Sequence, residues 1–216
     1  MARLKRGVFF TVIGIMASIF PAASAALAAG AGVLIYTVIQ DRPYVLLADH
    51  RDHDQVHRGW GGLGGTVEAG EAPFAAAVRE VSEESNGVFS EADLVAVVER
   101  GNKVSEKHFT TFFAQSNFQP ASQLTYAASS TGRGVNSERG PFAWLPWSVV
   151  LAAAGKADKM GYQQCKEHPV AVPPHYLPDN RQTSWFYCAF LQTVSKVEAG
   201  GGLKDSSSGK RLQPVR

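Results

Sequence analysis

Acidic side chains at close, fixed spacing are what this sequence offers for chemistry. Glu80, Glu83 and Glu84 lie within five residues of one another, preceded by Arg79, and Glu71 stands eight residues upstream. At about 100° per residue, the three glutamates fall in one sector of a helix. Like charges at that spacing repel by roughly 0.2–0.5 kcal/mol per pair. A solvated acidic face is the ordinary explanation for such a run, but Arg79 is the one cation close by. A hard divalent cation would relieve the repulsion. Mg²⁺ takes oxygen ligands, keeps several waters and is commonly shared between carboxylates and substrate phosphates. The residue types therefore point to phosphate chemistry assisted by a metal ion.

A helix has to present these acids. Pro73 suits a first turn, where a missing N–H costs nothing, and Glu71 suits the positive end of the helix dipole. Phe74, Ala77, Val78 and Val81 recur at the spacing of a buried stripe. Asn86-Gly87 makes a stop, because both residues tolerate the left-handed conformation that closes helices. The spacing predicts a helix from Pro73 to Asn86.

This stretch resembles the Nudix box, G-x5-E-x7-R-E-U-x-E-E-x-G-U with U aliphatic. Gly65, Glu71, Arg79, Glu80, Val81, Glu83 and Glu84 fall in register. Two positions depart: Asn86 stands where the box has glycine, and Gly87 where it has an aliphatic residue. The resemblance covers residues 31–155. It implies an α/β fold, an α/β/α sandwich with a mixed β-sheet. It also implies Mg²⁺, or Mn²⁺ in its place, held by Glu80, Glu83, Glu84 and the Gly65 carbonyl. The implied reaction is hydrolysis of a phosphoanhydride in a nucleoside diphosphate linked to another group. Arg79 and Glu71 are then expected to order the site, and Glu83 or Glu138 to act as general base, with Glu106 competing for the role of Glu138. The short motifs that mark ADP-ribose and dinucleoside polyphosphate hydrolases in the family are missing, so the substrate stays open. A small-molecule nucleotide is the expected partner. A Nudix-like module that binds a nucleotide or a protein without turnover is the alternative.

Around the box, Val33–Ile39 reads as a strand, Asp41-Arg42-Pro43 as a turn and Tyr44–Ala48 as the return strand. Asp49 to Arg58 is polar, contains His50, His53 and His57, and reads as an exposed loop rather than a zinc site, since no H-E-x-x-H or cysteine accompanies it. Arg58 and Trp60 are candidates for substrate contact. Gly59, Gly61 and Gly64 satisfy G-x-G-x-x-G. A dinucleotide fingerprint must open directly into a helix, whereas Thr66-Val67-Glu68 reads as extended. The glycines are better explained as letting the backbone come close to metal and phosphate.

Beyond the box, Leu94–Glu99 and His108–Gln115 read as strands and Pro120–Arg139 as a loop. Trp147–Ala154 reads as a closing helix ended by Gly155. Residues 156–198 form an extension packed on the domain, in which Ser184–Val194 reads as a buried strand. Residues 199–216, rich in Gly and Ser, read as a disordered tail.

The N-terminus carries Arg3, Lys5 and Arg6, an apolar run from Gly7 to Phe20, and Ala23-Ser24-Ala25. That is the layout of a signal peptide over residues 1–25, for a secreted or periplasmic protein. An uncleaved membrane anchor over 7–29 is the alternative, and membrane contact is expected only in that case. The two cysteines, Cys165 and Cys188, fit one disulfide in an oxidising compartment or two buried thiols. The net charge of +2 over 216 residues gives no case for nucleic-acid binding by bulk electrostatics.

Overall fold

The computed structural model describes residues 29–50, 58–130 and 139–214. The N-terminal stretch, His53, His57 and Glu138 lie outside the described residues. No helix of the described residues is long and apolar enough to cross a membrane.

A seven-stranded mixed sheet forms the middle layer. Its axis is β1 (Gly30–Ile39), which is buried on both faces. Val33 and Ile35 face one core while Leu34 and Tyr36 face the other, the period-2 alternation of a strand covered on both sides. One edge of β1 is shared. Its first half pairs antiparallel with β4 (Leu63–Thr66), and its second half with β2 (Arg42–His50). Along its other edge β1 runs parallel to β6 (Phe109–Gln115), which pairs antiparallel with β5 (Val98–Glu106). β2 also carries β3 (Gly59–Gly61) and β7 (Arg139–Pro146).

Helices cover both faces. α1 (Pro73–Glu84), α2 (Glu91–Val97) and α3 (Ala121–Ser130) close one core through Ala76, Ala77, Val78, Val81, Leu94 and Leu124. On the opposite face, α4 (Trp147–Met160) and α6 (Cys188–Ala199) pack together over Leu34, Tyr36, Val45 and Leu47. The short α5 (Tyr162–Glu167) joins them through a Cys165–Cys188 disulfide. The three-layer α/β/α arrangement is the one expected.

Several local expectations are corrected. The β1–β2 turn is Gln40-Asp41, both at positive φ (50° and 62°), with Arg42 and Pro43 already in β2. Two consecutive left-handed residues give the twist that two-residue hairpins require. The expected strand over Leu94–Glu99 is mostly α2. Ser90 caps that helix, its Oγ accepting from Asp93 N–H, and Glu91 and Asp93 complement its N-terminal dipole. Local capping outweighs the β-branched content. Part of the expected loop 120–139 is α3, anchored by the fully buried Leu124.

α4 passes through Gly155, whose missing Cβ faces open space, and stops at Gly161, φ 78°. The expected strand Ser184–Val194 is largely α6. Phe190, Leu191, Val194 and Val197 are buried at helical spacing. The expected disordered tail is folded onto the domain over its described part. Leu203 is 2% exposed, Leu212 N–H donates to Leu203 O, and Tyr36 Oη donates to Lys204 O at 2.5 Å.

Candidate functional site

The acid cluster is assembled between α1 and the glycine-rich turn of β3–β4. Arg79, one-fifth exposed, is its hub. Its Nε and Nη2 donate to the two oxygens of Glu71, each at 3.1 Å. Nη1 reaches Glu80 at 3.1 Å and Glu83 at 3.2 Å. Nη2 also donates to Thr66 O at 3.0 Å, which ties the helix to the end of β4. A planar guanidinium suits this work because its donors fan out in fixed directions. The bidentate contact to Glu71 holds the Arg79 pKa above its ordinary value. In return the Arg79 hydrogen bond, helped by Glu68 N–H, lowers that of Glu71. Glu71 thus belongs to the loop–helix joint.

Glu84 is held from the opposite side. It is 5% exposed, and its Oε2 accepts from Gly64 N–H at 3.0 Å. A buried carboxylate needs such a donor. Glu80 lies against Gly65. A Cβ at Gly65 would come within 2.3 Å of the Glu80 carboxylate, so only glycine leaves room for it. Gly64 is constrained more severely. Its φ is 149°, and a Cβ there would meet Gly32 Cα at 2.4 Å and Ala31 O at 2.5 Å. β1 and β4 approach backbone to backbone at this point, and that approach fixes Gly64 N–H opposite Glu84.

The helix ends as the box position demands. Ser85 closes it, and Asn86 adopts φ 54° and Gly87 φ 76°. Asn is the residue next to glycine in tolerance of that region, so the departure Asn86 is accommodated. Gly87 N–H bonds back to Ser82 O at 2.8 Å.

The glycines Gly59, Gly61 and Gly64 fall in β3 and at the start of β4, with no helix opening directly from them.

Glu71, Arg79, Glu80, Glu83, Glu84 and Gly65 are therefore brought together. Three carboxylates meet one guanidinium, with Glu84 held behind them by Gly64 N–H, and together they leave an excess of negative charge. The donor set is all hard oxygen, the kind Mg²⁺ prefers, and the Gly65 backbone is open beside Glu80. By chemistry the residues fit a divalent cation. Among the described residues, no three side chains already converge as a ligand set; Arg79 engages both Glu80 and Glu83.

Trp60 is a correction. Expected to stack on a substrate, it is fully buried and its Nε1 donates to Thr183 O at 3.1 Å. It is a core residue. Arg58 is exposed at the entry to β3. Glu106 pairs with Lys196 of α6 at 2.9 Å, on the sheet face opposite α1, so it does not compete for a role in this cluster. Asp49 and His50, expected in an exposed loop, are buried at the end of β2. Asp49 Oδ2 accepts from the N–H groups of Gln182 (2.7 Å) and Thr183 (3.1 Å), and its Oδ1 accepts from Thr183 Oγ1 (2.5 Å). His50 Nε2 lies 3.0 Å from Gly62 O and donates to it. Sequence reasoning missed both residues, since their partners lie far along the chain and the run D-H-R-D-H-D looks wholly solvated.

A cavity of about 430 Å³ opens elsewhere, lined by Ile35, Leu94, Gln115, Asn117 and Ser206 among others. It reaches β1 at Ile35, whereas Gly65 pairs with Ala31, and it contains none of the box carboxylates.

No curated protein matches the chain. Among solved structures, a MutT/nudix family protein from Enterococcus faecalis is similar at 17% identity and TM-score 0.39, over 55% of this chain. The match spans only 43% of the length of that protein. An Ap4A hydrolase from C. elegans is similar at 20% identity and TM-score 0.40, over 66% of this chain and 96% of its own. The NUDIX domain of NrtR from Shewanella oneidensis, crystallised with ADP ribose, is similar at 16% identity and TM-score 0.43, over 62% of this chain and 82% of its own. The family model for the NUDIX domain matches residues 28–162. A model that spans most of the chain, including every carboxylate gathered around Arg79, establishes that this protein belongs to the Nudix family.

Proposed function

We propose that this protein, as Nudix proteins generally do, hydrolyses a pyrophosphate bond, here a phosphoanhydride in a nucleoside diphosphate linked to another moiety, with Mg²⁺ or Mn²⁺ bound. The observation that carries the reading is the Arg79 hub: one guanidinium gathers Glu71, Glu80 and Glu83 while Gly64 N–H holds Glu84. A scaffold with no use for repelling acids would have no reason to hold four of them together.

Glu80, Glu83, Glu84 and the Gly65 carbonyl would hold the metal. When bound, the ion supplies charge neutralisation of the diphosphate and lowers the pKa of a bound water. Glu83, half exposed at 48% of its side chain, would act as the general base, an effect typically worth about 10²–10⁴-fold. Glu138 is the other candidate base. Arg79 and Glu71 keep the carboxylates oriented, and Arg58, exposed at the entry to β3, would contact a phosphate. Export is proposed separately, from the signal-peptide layout of residues 1–25, and the Cys165–Cys188 disulfide supports it, because such bonds persist in oxidising compartments.

The test is release of a nucleoside monophosphate from a panel of nucleoside triphosphates, nucleotide sugars, ADP-ribose, NADH and dinucleoside polyphosphates. It is run with Mg²⁺, with Mn²⁺ and with EDTA. Metal-dependent turnover of any member supports the reading and names the substrate class. The second reading, a nucleotide-binding module, is favoured by one observation: Arg79 engages Glu80 and Glu83 together. A ligand that raises the melting temperature without being turned over would select it.

A further inference from the structure

The C-terminal extension touches the glycine turn at its base. Residues 185–187 lie beside β3 in parallel: Trp60 N–H donates to Trp185 O at 2.8 Å, and Tyr187 N–H donates to Trp60 O at 3.0 Å. They are backed in turn by Val170–Val172, through Phe186 N–H to Val170 O and Val172 N–H to Ser184 O, both at 2.9 Å. The sheet thus continues past β3, its terminal strand in sheet order. The approach is close enough that a Cβ at Gly59 would fall 2.7 Å from Tyr187 N. Two side-chain grips lock the contact. One is Asp49, buried and saturated by Gln182 and Thr183. The other is the Trp60 indole on Thr183 O. From here a short path leads to the acids. His50, next to Asp49 and packed against the Tyr187 ring at 5.9 Å between centroids, holds Gly62 O. Two residues on, Gly64 N–H holds Glu84.

We propose that residues 182–187 are a positioning element of the active site, an extended segment laid along β3 that sets the Gly59–Gly65 turn, and that Asp49 and Thr183 are its positioning residues. The catalytic half of this proposal rests on the hydrolase reading above; the structural half does not. Neither residue touches the acid cluster. Their effect is transmitted through β3 to the Gly64–Glu84 hydrogen bond, and small displacements at such points are costly because catalysis depends on sub-ångström placement.

The experiment uses the full chain and two readouts: hydrogen exchange at the Trp60 and Gly64 amides, and kcat with KM for whichever panel nucleotide is turned over. Thr183→Val removes one donor from buried Asp49 without changing volume. It is expected to lower protection at Gly64 by about tenfold or more. It is expected to lower kcat by about 10- to 100-fold, with KM moved by less than about threefold. Asp49→Asn can keep all three hydrogen bonds, its amide nitrogen donating to Thr183 Oγ1, and is expected to stay near wild type in both readouts. If Thr183→Val does not fold, Trp60→Phe, which loses the indole donor to Thr183 O and part of the buried ring volume with it, carries the same readouts. A folded variant with a lower melting temperature but unchanged Gly64 protection, or with unchanged kcat, overturns the proposal. If the wild type turns over no panel member, the hydrolase reading fails by itself and the exchange result alone decides whether the extension sets the turn.

Discussion

α1 and the extension meet the same short turn from two sides, by different means. α1 reaches it through contacts of short sequence separation: Gly64 to Glu84 is 20 residues and Arg79 to Thr66 is 13. The extension reaches it through contacts separated by 123 to 134 residues. The first set is dense with charge and holds the residues proposed for the chemistry. The second is nearly charge-free except for Asp49, and it sets geometry. Spacing along one helix can encode a reactive cluster, while the support behind that cluster is drawn from wherever the chain returns.

The comparison can be broken at either side. The largest effect is expected from Glu84→Gln. Glutamine can still accept from Gly64 N–H, so the melting temperature should hold, while loss of the charge should cost about 100-fold or more in turnover. Even groups behind a metal ligand cost about 10–100-fold when removed. Wild-type activity in this variant would remove Glu84 from the site. On the extension side, replacing both Cys165 and Cys188 with serine should do the reverse. With a sequence separation of 23 between the cysteines, chain-entropy estimates give a stability loss of about 3 kcal/mol, readable by denaturant melts. Activity well below the melt should survive, because the Asp49 grip remains.

Smaller effects sharpen the contrast. Ser90→Ala removes the cap of α2 and should cost about 1 kcal/mol with kcat unchanged. An unchanged midpoint would mean that α2 is held by packing alone. The weakest effect concerns acid. The Glu71 pKa is lowered by Arg79 from the ordinary 4.5, so the stability this pair contributes is fully present above about pH 4.5. It is lost as pH falls through the lower folded value. Glu71→Gln should flatten that acid limb in melts between roughly pH 3 and 5, and an identical limb in both proteins would contradict the pairing.

How legible each region was follows from the same distinction. The box helix could be read because its evidence is local: a buried stripe, a glycine at a fixed offset, and an Asn-Gly stop that takes up positive φ as expected. α2 was misread because L-V-A-V-V has strand-like composition, while Ser90, Glu91 and Asp93, the residues that start a helix, stand just before it. α6 was misread because S-W-F-Y-C-A-F is aromatic. Its helical period becomes visible only when the window reaches Val197. The tail looked disordered by composition, yet Leu203, the Tyr36 hydroxyl on Lys204 O, and Gln115 accepting from Ser206 N–H at 2.7 Å give it a place to dock.

The sequence alone determined the family, the acid cluster and the helix that carries it, because side-chain spacing on one helix is fixed by backbone geometry. Only the tertiary structure decided that Trp60 is buried rather than offered to a ligand, that Glu106 faces α6, and that Asp49 leaves solvent to grip Thr183. Each of those outcomes depends on what covers the residue. Burial comes from segments more than a hundred positions away for Trp60 and Asp49, and ninety away for Glu106, and no local pattern announces them.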